Sequence, residues 1–283
     1  DIKHLKKKIL FIKKNSKIPL CLDTEGAQIR TKIKFNKFYK INQKFKIFKS
    51  KNLINLYPTK VYDELKILDI LDIGFENLKV RIISKNLNFV TVKVISAGKL
   101  ENNKGVHIEN RMVKLDYLTE KDLKAIEIGK KLNIKNFALS FTNSINDVVR
   151  FTEKLPSQRK IYKIESKTAV KSFSKIIKYG NNFLIDRGDL SKEIAIENIP
   201  YIQRKILKIA KKFKNKNIYI ATNFLESMIE NEFPTRGEAN DIYNSLETGS
   251  KGLVLAAETA IGRHPKKTVL FLKKMISAYK KKN

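Results

Sequence analysis

Residues 136–166 are NFALSFTNSINDVVRFTEKLPSQRKIYKIES, a stretch in which two short apolar runs flank a helical segment. The runs are NFALSF at 136–141 and KIYKI at 160–164. A buried strand, a helix and a second buried strand form a βαβ unit, in which the two strands are parallel. The stretch therefore predicts an α/β fold built on a parallel sheet.

The same alternation of apolar run and helical segment continues on both sides of this stretch. The further runs are PLCL at 19–22, NFLI at 182–185, NIYIA at 217–221 and GLVL at 252–255. Together these runs predict six parallel strands separated mainly by helices. We interpret the chain as a (β/α)8 TIM barrel with six of its eight strands present.

The pattern of residues changes between positions 33 and 113. Short β-rich runs such as KFKIF, LKVRII and NFVTVKVI follow one another there, with Asn, Lys and Gly between them. This pattern predicts a small all-β domain inserted into the barrel. We therefore expect a barrel formed by residues 1–32 and 114–283 and an inserted β-barrel-like lid at 33–113.

The composition is that of a globular protein, with 42% hydrophobic and 31% charged residues over a length of 283. No apolar stretch approaches the roughly 20 residues that span a bilayer, so we expect no membrane partner. The single cysteine, Cys21, cannot form an internal disulfide and fits a cytoplasmic location.

The formal net charge of +31 is compatible with nucleic-acid binding, because basic surfaces attract phosphates regardless of sequence. The lysines are spread over the whole chain and accompany many Ile and Asn residues, as expected for an A/T-rich genome. We therefore favour a charged, solvated surface over a nucleic-acid partner. The positive field would also attract phosphorylated metabolites.

Polar residues follow every predicted barrel strand, at the end where TIM barrels carry their active sites. In chain order they are Asp23 and Thr24, Ser140, Lys163 and Glu165, Arg187-Gly188-Asp189, Thr222, and Glu258-Thr259. Barrel topology would bring all of these residues to one face of the molecule.

Glu165 and Asp189 follow consecutive strands, so their carboxylates are candidates for one divalent cation. Mg²⁺ is commonly bound by one or two carboxylates together with water and substrate oxygens. For each residue alone, a salt bridge to a nearby Lys or Arg is an equally good interpretation. For the pair in a barrel, we favour the metal.

Lys163 lies two residues before Glu165, so both side chains project from the same face of one strand. A buried lysine beside a carboxylate can stabilise a phosphoryl group in transfer. It can also form a Schiff base, as in aldolases, or simply pair with Glu165. The Gly188 turn offers backbone N–H groups to an anionic carboxylate or phosphate.

Eight segments, in this order, resemble pyruvate kinase. They are LDTEGAQIRT (22–31), GKLENNKGV (98–106), LTEKDLKAIEIG (118–129), ALSFTNSINDV (138–148), IYKIES (161–166), DRGDLSKEI (186–194), ATNFLESMIENEFPTRGEANDIYN (221–244) and AAETAIGRHP (256–265). The most specific is the stretch from 221 to 244, and the resemblance covers essentially the whole chain.

The resemblance implies a phosphotransferase that acts in glycolysis and interconverts phosphoenolpyruvate plus ADP with pyruvate plus ATP. It implies that Lys163 stabilises the phosphoryl group and that Glu165 and Asp189 hold Mg²⁺ or Mn²⁺. It further implies that Gly188 and the Asp189 backbone hold the substrate carboxylate. Thr222 would lie near the enolate carbon that gains a proton.

The resemblance also implies a potassium site at Asp23 and Thr24 and a phosphate contact from Arg30. The insert would be the lid over the nucleotide, whose closure excludes water. A full-length form would be a homo-oligomer, expected as a homotetramer. The family's first two strands, its Asn-x-Ser-His segment and its C-terminal domain are missing, so we expect the chain to be an internal piece of a longer protein.

Several positions depart from the family pattern around this core. Asp186 stands where the family has a small residue, next to the turn that binds the carboxylate. It would repel an anionic substrate unless its side chain faces away. Ser166 replaces an asparagine, Asn143 replaces a basic residue, and Glu25 replaces a lysine. These changes suit a divergent member or a relative with altered substrate or rate.

Two other functions compete with this interpretation. A metal-dependent lyase or aldolase acting on a 2-oxo acid could use the same Glu165 and Asp189 without a nucleotide. A catalytically decayed relative could instead be a basic nucleic-acid-binding protein, whose binding would depend strongly on salt and not on Lys163.

Overall fold

The computed structural model describes residues 2–26, 28–50, 53–74, 78–109, 111, 113 and 115–282. The chain divides into two compact units, one made of Asp1–Glu25 with Glu120–Asn283 and the other of Gly26–Thr119. Strands and helices are numbered in chain order over both units. Within the described ranges, no helix is long and apolar enough to cross a membrane.

The first unit contains six strands, which form one parallel sheet in the order β1-β11-β12-β13-β14-β15. Their bounds are β1 Cys21–Asp23, β11 Asn136–Leu139, β12 Arg159–Ile164, β13 Asn182–Asp186, β14 Asn217–Ala221 and β15 Gly252–Val254. The prediction of six parallel strands is confirmed.

Helices follow these strands along the chain, as the βαβ pattern requires. They are α1 Ile2–Asn15, α3 Glu120–Lys131, α4 Ile145–Lys154, α5 Lys167–Ile176, α6 Arg187–Leu190, α7 Ile199–Ala210, α8 Arg236–Glu247, α9 Ala257–Ala260 and α10 Pro265–Lys282, with 3₁₀ turns at Ile196–Asn198 and Glu226–Ile229. Helix α4 begins at a capping box in which Ser144 and Asp147 bond to each other's backbone N–H.

Side chains alternate between the two faces of each strand, and this alternation positions the site. On β12, Tyr162 faces the helices, with its ring 6.2 Å from Phe151 of α4 and 5.7 Å from Phe183 of β13. Lys163 and Glu165 belong to the opposite set of side chains. The apolar set anchors β12 against its helices and leaves the ionisable set at the other face of the sheet.

The second unit is a closed β-barrel in the order β10-β2-β5-β4-β8-β7-β6, with β10 pairing back onto β6. Its elements are β2 Ile29–Ile33, β3 Lys37–Tyr39, β4 Lys44–Phe48, β5 Ile54–Tyr57, α2 Val61–Glu64, β6 Ile70–Ile73, β7 Leu78–Lys85, β8 Phe89–Ser96, β9 Gly98–Leu100 and β10 Gly105–Ile108. Strands β3 and β9 form a separate antiparallel pair.

The core of the second unit is mainly aliphatic and includes Ile47, Leu71, Val80 and Val92, each at most 1% exposed. Gly98 allows β9 to approach β7, because a Cβ at this position would lie 2.6 Å from the backbone nitrogen of Leu78. The predicted all-β insert at 33–113 lies within this unit. The α/β class with a separate small all-β unit is confirmed.

Candidate active site

Lys163 lies at the centre of a group of carboxylates where β1, β12 and β13 end. Its Nζ atom is 2.8 Å from Glu165 Oε1, 3.1 Å from Asp23 Oδ2 and 3.7 Å from Asp186 Oδ2. Because parallel neighbours end at the same edge of the sheet, residues far apart in sequence meet here. The Lys163 side chain is 11% exposed.

The lysine keeps its positive charge in this environment. Burial by itself lowers the pKa of Lys163, but Glu165, Asp23 and Asp186 outweigh that effect and raise the pKa well above its usual range. Lys163 is therefore an ammonium at neutral pH. A Schiff-base role requires a neutral amine, so this environment favours the electrostatic role over the aldolase-like one.

Glu165 is the most deeply buried of the carboxylates, with a side chain that is 0% exposed. Its Oε2 atom accepts a hydrogen bond of 2.6 Å from the backbone N–H of Phe141. Its Oε1 atom forms an ion pair with the Lys163 ammonium at 2.8 Å. Burial raises the pKa of Glu165, as do the nearby charges of Asp186 and Asp189, while Lys163 opposes the shift.

Glu165, Asp186 and Asp189 form the candidate metal centre. One oxygen atom from each of the three side chains lies within 4.8 Å of the other two. Asp189 is also paired with Lys192, one turn further along the chain. Sequence reasoning predicted Glu165 and Asp189 as ligands and treated Asp186 only as a departure from the family pattern.

These three carboxylates fit a hard divalent cation. Mg²⁺ and Mn²⁺ prefer oxygen donors, and each of the three carboxylates offers one oxygen within 4.8 Å of the other two. A cation here would hold Glu165, Asp186 and Asp189 without the repulsion that three close carboxylates otherwise have.

The predicted potassium ligands have protein partners. Asp23 bonds to Lys163 through Oδ2 and to Ser140 through Oδ1, and Thr24 Oγ1 accepts from the backbone N–H of Ser140 at 3.0 Å. These oxygen atoms therefore already accept hydrogen bonds from other residues of the chain. The potassium site stays a prediction.

The turn after β13 is tied to the end of β14 by Thr222. The Gly188 N–H donates to Thr222 Oγ1 at 2.9 Å, and the Thr222 backbone has a φ of +72°. A β-branched residue in this left-handed region is strained, and such strain is common at active sites. Predicted residues Gly188 and Thr222 are thus in direct contact.

Arg187 holds Thr222 in this strained conformation. Its guanidinium donates two hydrogen bonds to the Thr222 carbonyl, forms an ion pair of 2.7 Å with Asp241 and lies 4.2 Å from the centre of the Phe224 ring. Sequence reasoning placed Arg187 at a strand end without giving it a role. Nothing in the local sequence identifies this role, because its partners come from β14 and α8.

Arg30 belongs to β2 of the second unit. Its Nη1 atom donates to the carbonyl of Asn103 at 3.3 Å, and its buried Nε–H has no hydrogen-bond partner among the described residues. Its predicted contact with phosphate stays a prediction.

The fold and the site together define an α/β protein with a six-stranded parallel sheet and a lysine–carboxylate cluster at the carboxyl ends of its strands. A comparison with models of protein families identifies the family. A family model described as "Pyruvate kinase, barrel domain" matches residues 2–269, and the chain belongs to this family.

Individual relatives agree with the family match. The chain is 31% identical over 292 residues to a pyruvate kinase of Thermotoga maritima, covering 99% of this chain and 62% of the relative. It is 32% identical over 292 residues to a pyruvate kinase of Buchnera aphidicola, with coverages of 98% and 60%. A pyruvate kinase of Methanocaldococcus jannaschii is 32% identical over 274 residues, with coverages of 95% and 60%. The chain thus spans less than two thirds of the length of these relatives.

Proposed function

We propose that this chain is the catalytic barrel and lid of a cytoplasmic pyruvate kinase. It would transfer a phosphoryl group between phosphoenolpyruvate and ADP, giving pyruvate and ATP in glycolysis. The observation that carries the proposal is the cluster at the ends of β12 and β13, where Lys163 meets Glu165 and Asp186, and Asp189 completes the carboxylate group.

In this proposal, Glu165 and Asp189 hold Mg²⁺ or Mn²⁺. The bound cation would supply positive charge to substrate oxygens, which lowers the cost of charge that develops during transfer. The close approach of the carboxylate oxygens, which lie within 4.8 Å of one another, supports this assignment. Several buried carboxylates are costly to hold together unless positive charge compensates them, and a cation adds such charge.

Lys163 would stabilise the phosphoryl group as it moves. Phosphoryl transfer depends mainly on positioning and on compensation of charge over the equatorial oxygens. The raised pKa keeps Lys163 charged at neutral pH, and its burial strengthens its interaction with an anion. The ammonium would exchange part of its contact with Asp23 and Asp186 for the phosphoryl oxygens.

The turn at Gly188 and Asp189 would orient the substrate carboxylate. Thr222 would lie next to the enolate carbon, where a proton is gained when pyruvate forms. The strained backbone of Thr222, held by Arg187, supports a positioning function for this residue. The lid role of the second unit, the phosphate contact of Arg30, the potassium site and a homo-oligomeric state belong to the same proposal.

A coupled assay tests the proposal. The full chain should produce ATP from ADP and phosphoenolpyruvate only when Mg²⁺ or Mn²⁺ is present, and Lys163→Met should lower the rate by at least about 100-fold. Lys160→Met is the matched control, because Lys160 lies on the same strand and donates to the Leu155 carbonyl instead.

The competing functions predict different results. Mg²⁺-dependent cleavage of a 2-oxo acid without ATP formation would favour the lyase and overturn the kinase proposal. Tight, salt-dependent RNA binding that is unaffected by Lys163→Met, again without ATP formation, would favour the decayed relative.

A further inference from the structure

Asp186 is the last residue of β13, and its side chain points into the candidate active site. The residue is 9% exposed, and its position precedes the turn Arg187–Asp189. The resemblance predicts a small residue here. The structure thus contains a buried carboxylate at a place where the proposed function requires room for the carboxylate of a ligand.

One oxygen of Asp186 occupies the donors of this turn. Its Oδ1 atom accepts from the Asp189 N–H at 3.3 Å and lies 3.4 Å from Thr222 Oγ1. A Cβ built on Gly188 would lie 3.5 Å from the same oxygen, so this oxygen covers the surface of the turn. The proposed function assigns this turn to the substrate carboxylate and places Thr222 next to the enolate carbon of the same ligand.

The other oxygen faces the charged part of the site. Oδ2 is 3.7 Å from Lys163 Nζ, and one Asp186 oxygen lies within 4.8 Å of ligand atoms of Glu165 and Asp189. Asp186 therefore makes the two kinds of contact that a ligand carboxylate would make, one with the turn and one with the positive charge.

Capping of the short helix α6 explains only part of this geometry. An aspartate cap accounts for the bond from Oδ1 to the Asp189 N–H. It does not account for the proximity of Oδ2 to Lys163, which an exposed capping aspartate would not have. The residue acts on the site in addition to ending the strand.

We propose that Asp186 is a specificity-determining residue that serves as a built-in carboxylate. It competes with a small 2-oxo acid or its enolate for the Asp189 N–H and the Thr222 hydroxyl, and it repels the negative charge of that ligand. The inference rests on the proposed function, because it takes the ligand carboxylate to bind at this turn.

The test measures ligand binding and not turnover. Oxalate is a suitable probe, because this planar dianion offers two adjacent oxygens to a cation and a carboxylate to the turn. We would titrate oxalate into the full chain at saturating Mn²⁺ by calorimetry. Mn²⁺ affinity itself is determined first for each variant by electron paramagnetic resonance, since loss of Asp186 removes one candidate ligand.

Asp186→Ala should bind oxalate at least tenfold more tightly than the original chain. Asp186→Asn keeps an acceptor on the turn and the size of the side chain while removing the charge, so it should give an intermediate gain and should fold even if the alanine variant does not. Asp63→Ala removes an acid from the second unit and should leave oxalate binding unchanged.

The outcomes separate the two proposals. If oxalate binds the original chain in the presence of Mn²⁺ and neither Asp186 variant binds it more tightly, the Asp186 inference is overturned and the proposed function stands. If Mn²⁺ binds but oxalate binds none of the folded proteins, the ligand class is wrong, and both proposals fall.

Discussion

The two units of this chain differ in whether they bury charged side chains. The parallel sheet unit buries Lys163, Glu165 and Asp186 at the ends of its strands. In the described part of 26–119, the buried polar side chains are those of threonines and tyrosines, and no Lys, Arg, His, Asp or Glu residue is buried. The ion pair of Asp69 with Arg111 joins a carboxylate that is 8% exposed to a guanidinium that is 25% exposed.

This difference shows that only the sheet unit accepts the free-energy cost of burying charged side chains. Burying a charge is expensive unless it is paired, and replacing buried ion pairs by apolar residues is often neutral or stabilising. An aliphatic barrel can therefore serve stability alone. A buried lysine among carboxylates contributes little to stability that an apolar core could not supply, so its presence favours a role toward a ligand.

The largest expected effect is on the sheet unit. Lys163→Met should destabilise the chain by about 3–5 kcal/mol at pH 7 without divalent cation, because Glu165 and Asp186 are then buried without a positive partner. Urea unfolding measures the loss, and added Mg²⁺ should reverse part of it. Lys160→Met, which loses one hydrogen bond, should cost about 1 kcal/mol. Equal losses of unfolding free energy in the two variants would contradict the special role of buried charge in the sheet unit.

The second unit should respond to loss of apolar volume and not to cations. Leu71 is 0% exposed, so Leu71→Ala should cost about 3 kcal/mol by leaving a cavity. Leu87→Ala, at a position that is 87% exposed, should change the free energy of unfolding by less than about 0.5 kcal/mol. If Mg²⁺ restored the stability of Leu71→Ala, the contrast between the two units would fail.

The pair Asp69–Arg111 should make a pH-dependent contribution to the second unit. Burial raises the pKa of Asp69, but the bonds from Arg111 outweigh this effect and leave the pKa below its ordinary value. A depressed pKa in the folded state stabilises the protein above the unfolded value of about 3.9, and this contribution is lost as pH falls through the folded value.

Arg111→Gln should therefore cost about 2 kcal/mol at pH 7, and the difference from the original chain should shrink below about pH 4. Denaturation by urea at several pH values between 7 and 2 measures this difference. A difference that stayed constant down to pH 2 would show that Arg111 acts by packing and not through the charge of Asp69.

The smallest effect is expected for a surface pair. Lys49 Nζ is 2.6 Å from Asp63 Oδ1, but the two side chains are 43% and 60% exposed. A double-mutant cycle with Lys49→Ala and Asp63→Ala should give a coupling energy below about 1 kcal/mol that decreases with added salt. A coupling as large as that of the buried cluster would mean that exposure does not distinguish the two classes of pair.

Asn143 and Ser166, at two positions where the resemblance predicts other residues, are in contact. They are hydrogen-bonded through their side chains, and Ser166 also caps α5 by accepting from the Ala169 N–H at 3.0 Å. They come from neighbouring strand ends, so a change at one position alters the partner available to the other.

The fold class and the edge of the sheet that carries the site could be predicted from the pattern of residues alone. Apolar runs alternating with helical segments allow only a few topologies, and parallel strands necessarily end together. Lys163 and Glu165 could be placed on one face from their spacing alone. Asp189 could be added because it follows the next strand, and the structure brings these three residues into one cluster.

Three features follow only from the packing of the folded unit: the inward orientation of Asp186, the hydrogen bonds from Arg187 to the Thr222 carbonyl, and the full burial of Glu165. Sequence reasoning left open whether Asp186 faced away from the turn. Strand periodicity specifies the face from which a side chain leaves the backbone. Its rotamer and its partners depend on distances of a few ångströms to residues on other strands, and those distances follow from the packing of the whole unit.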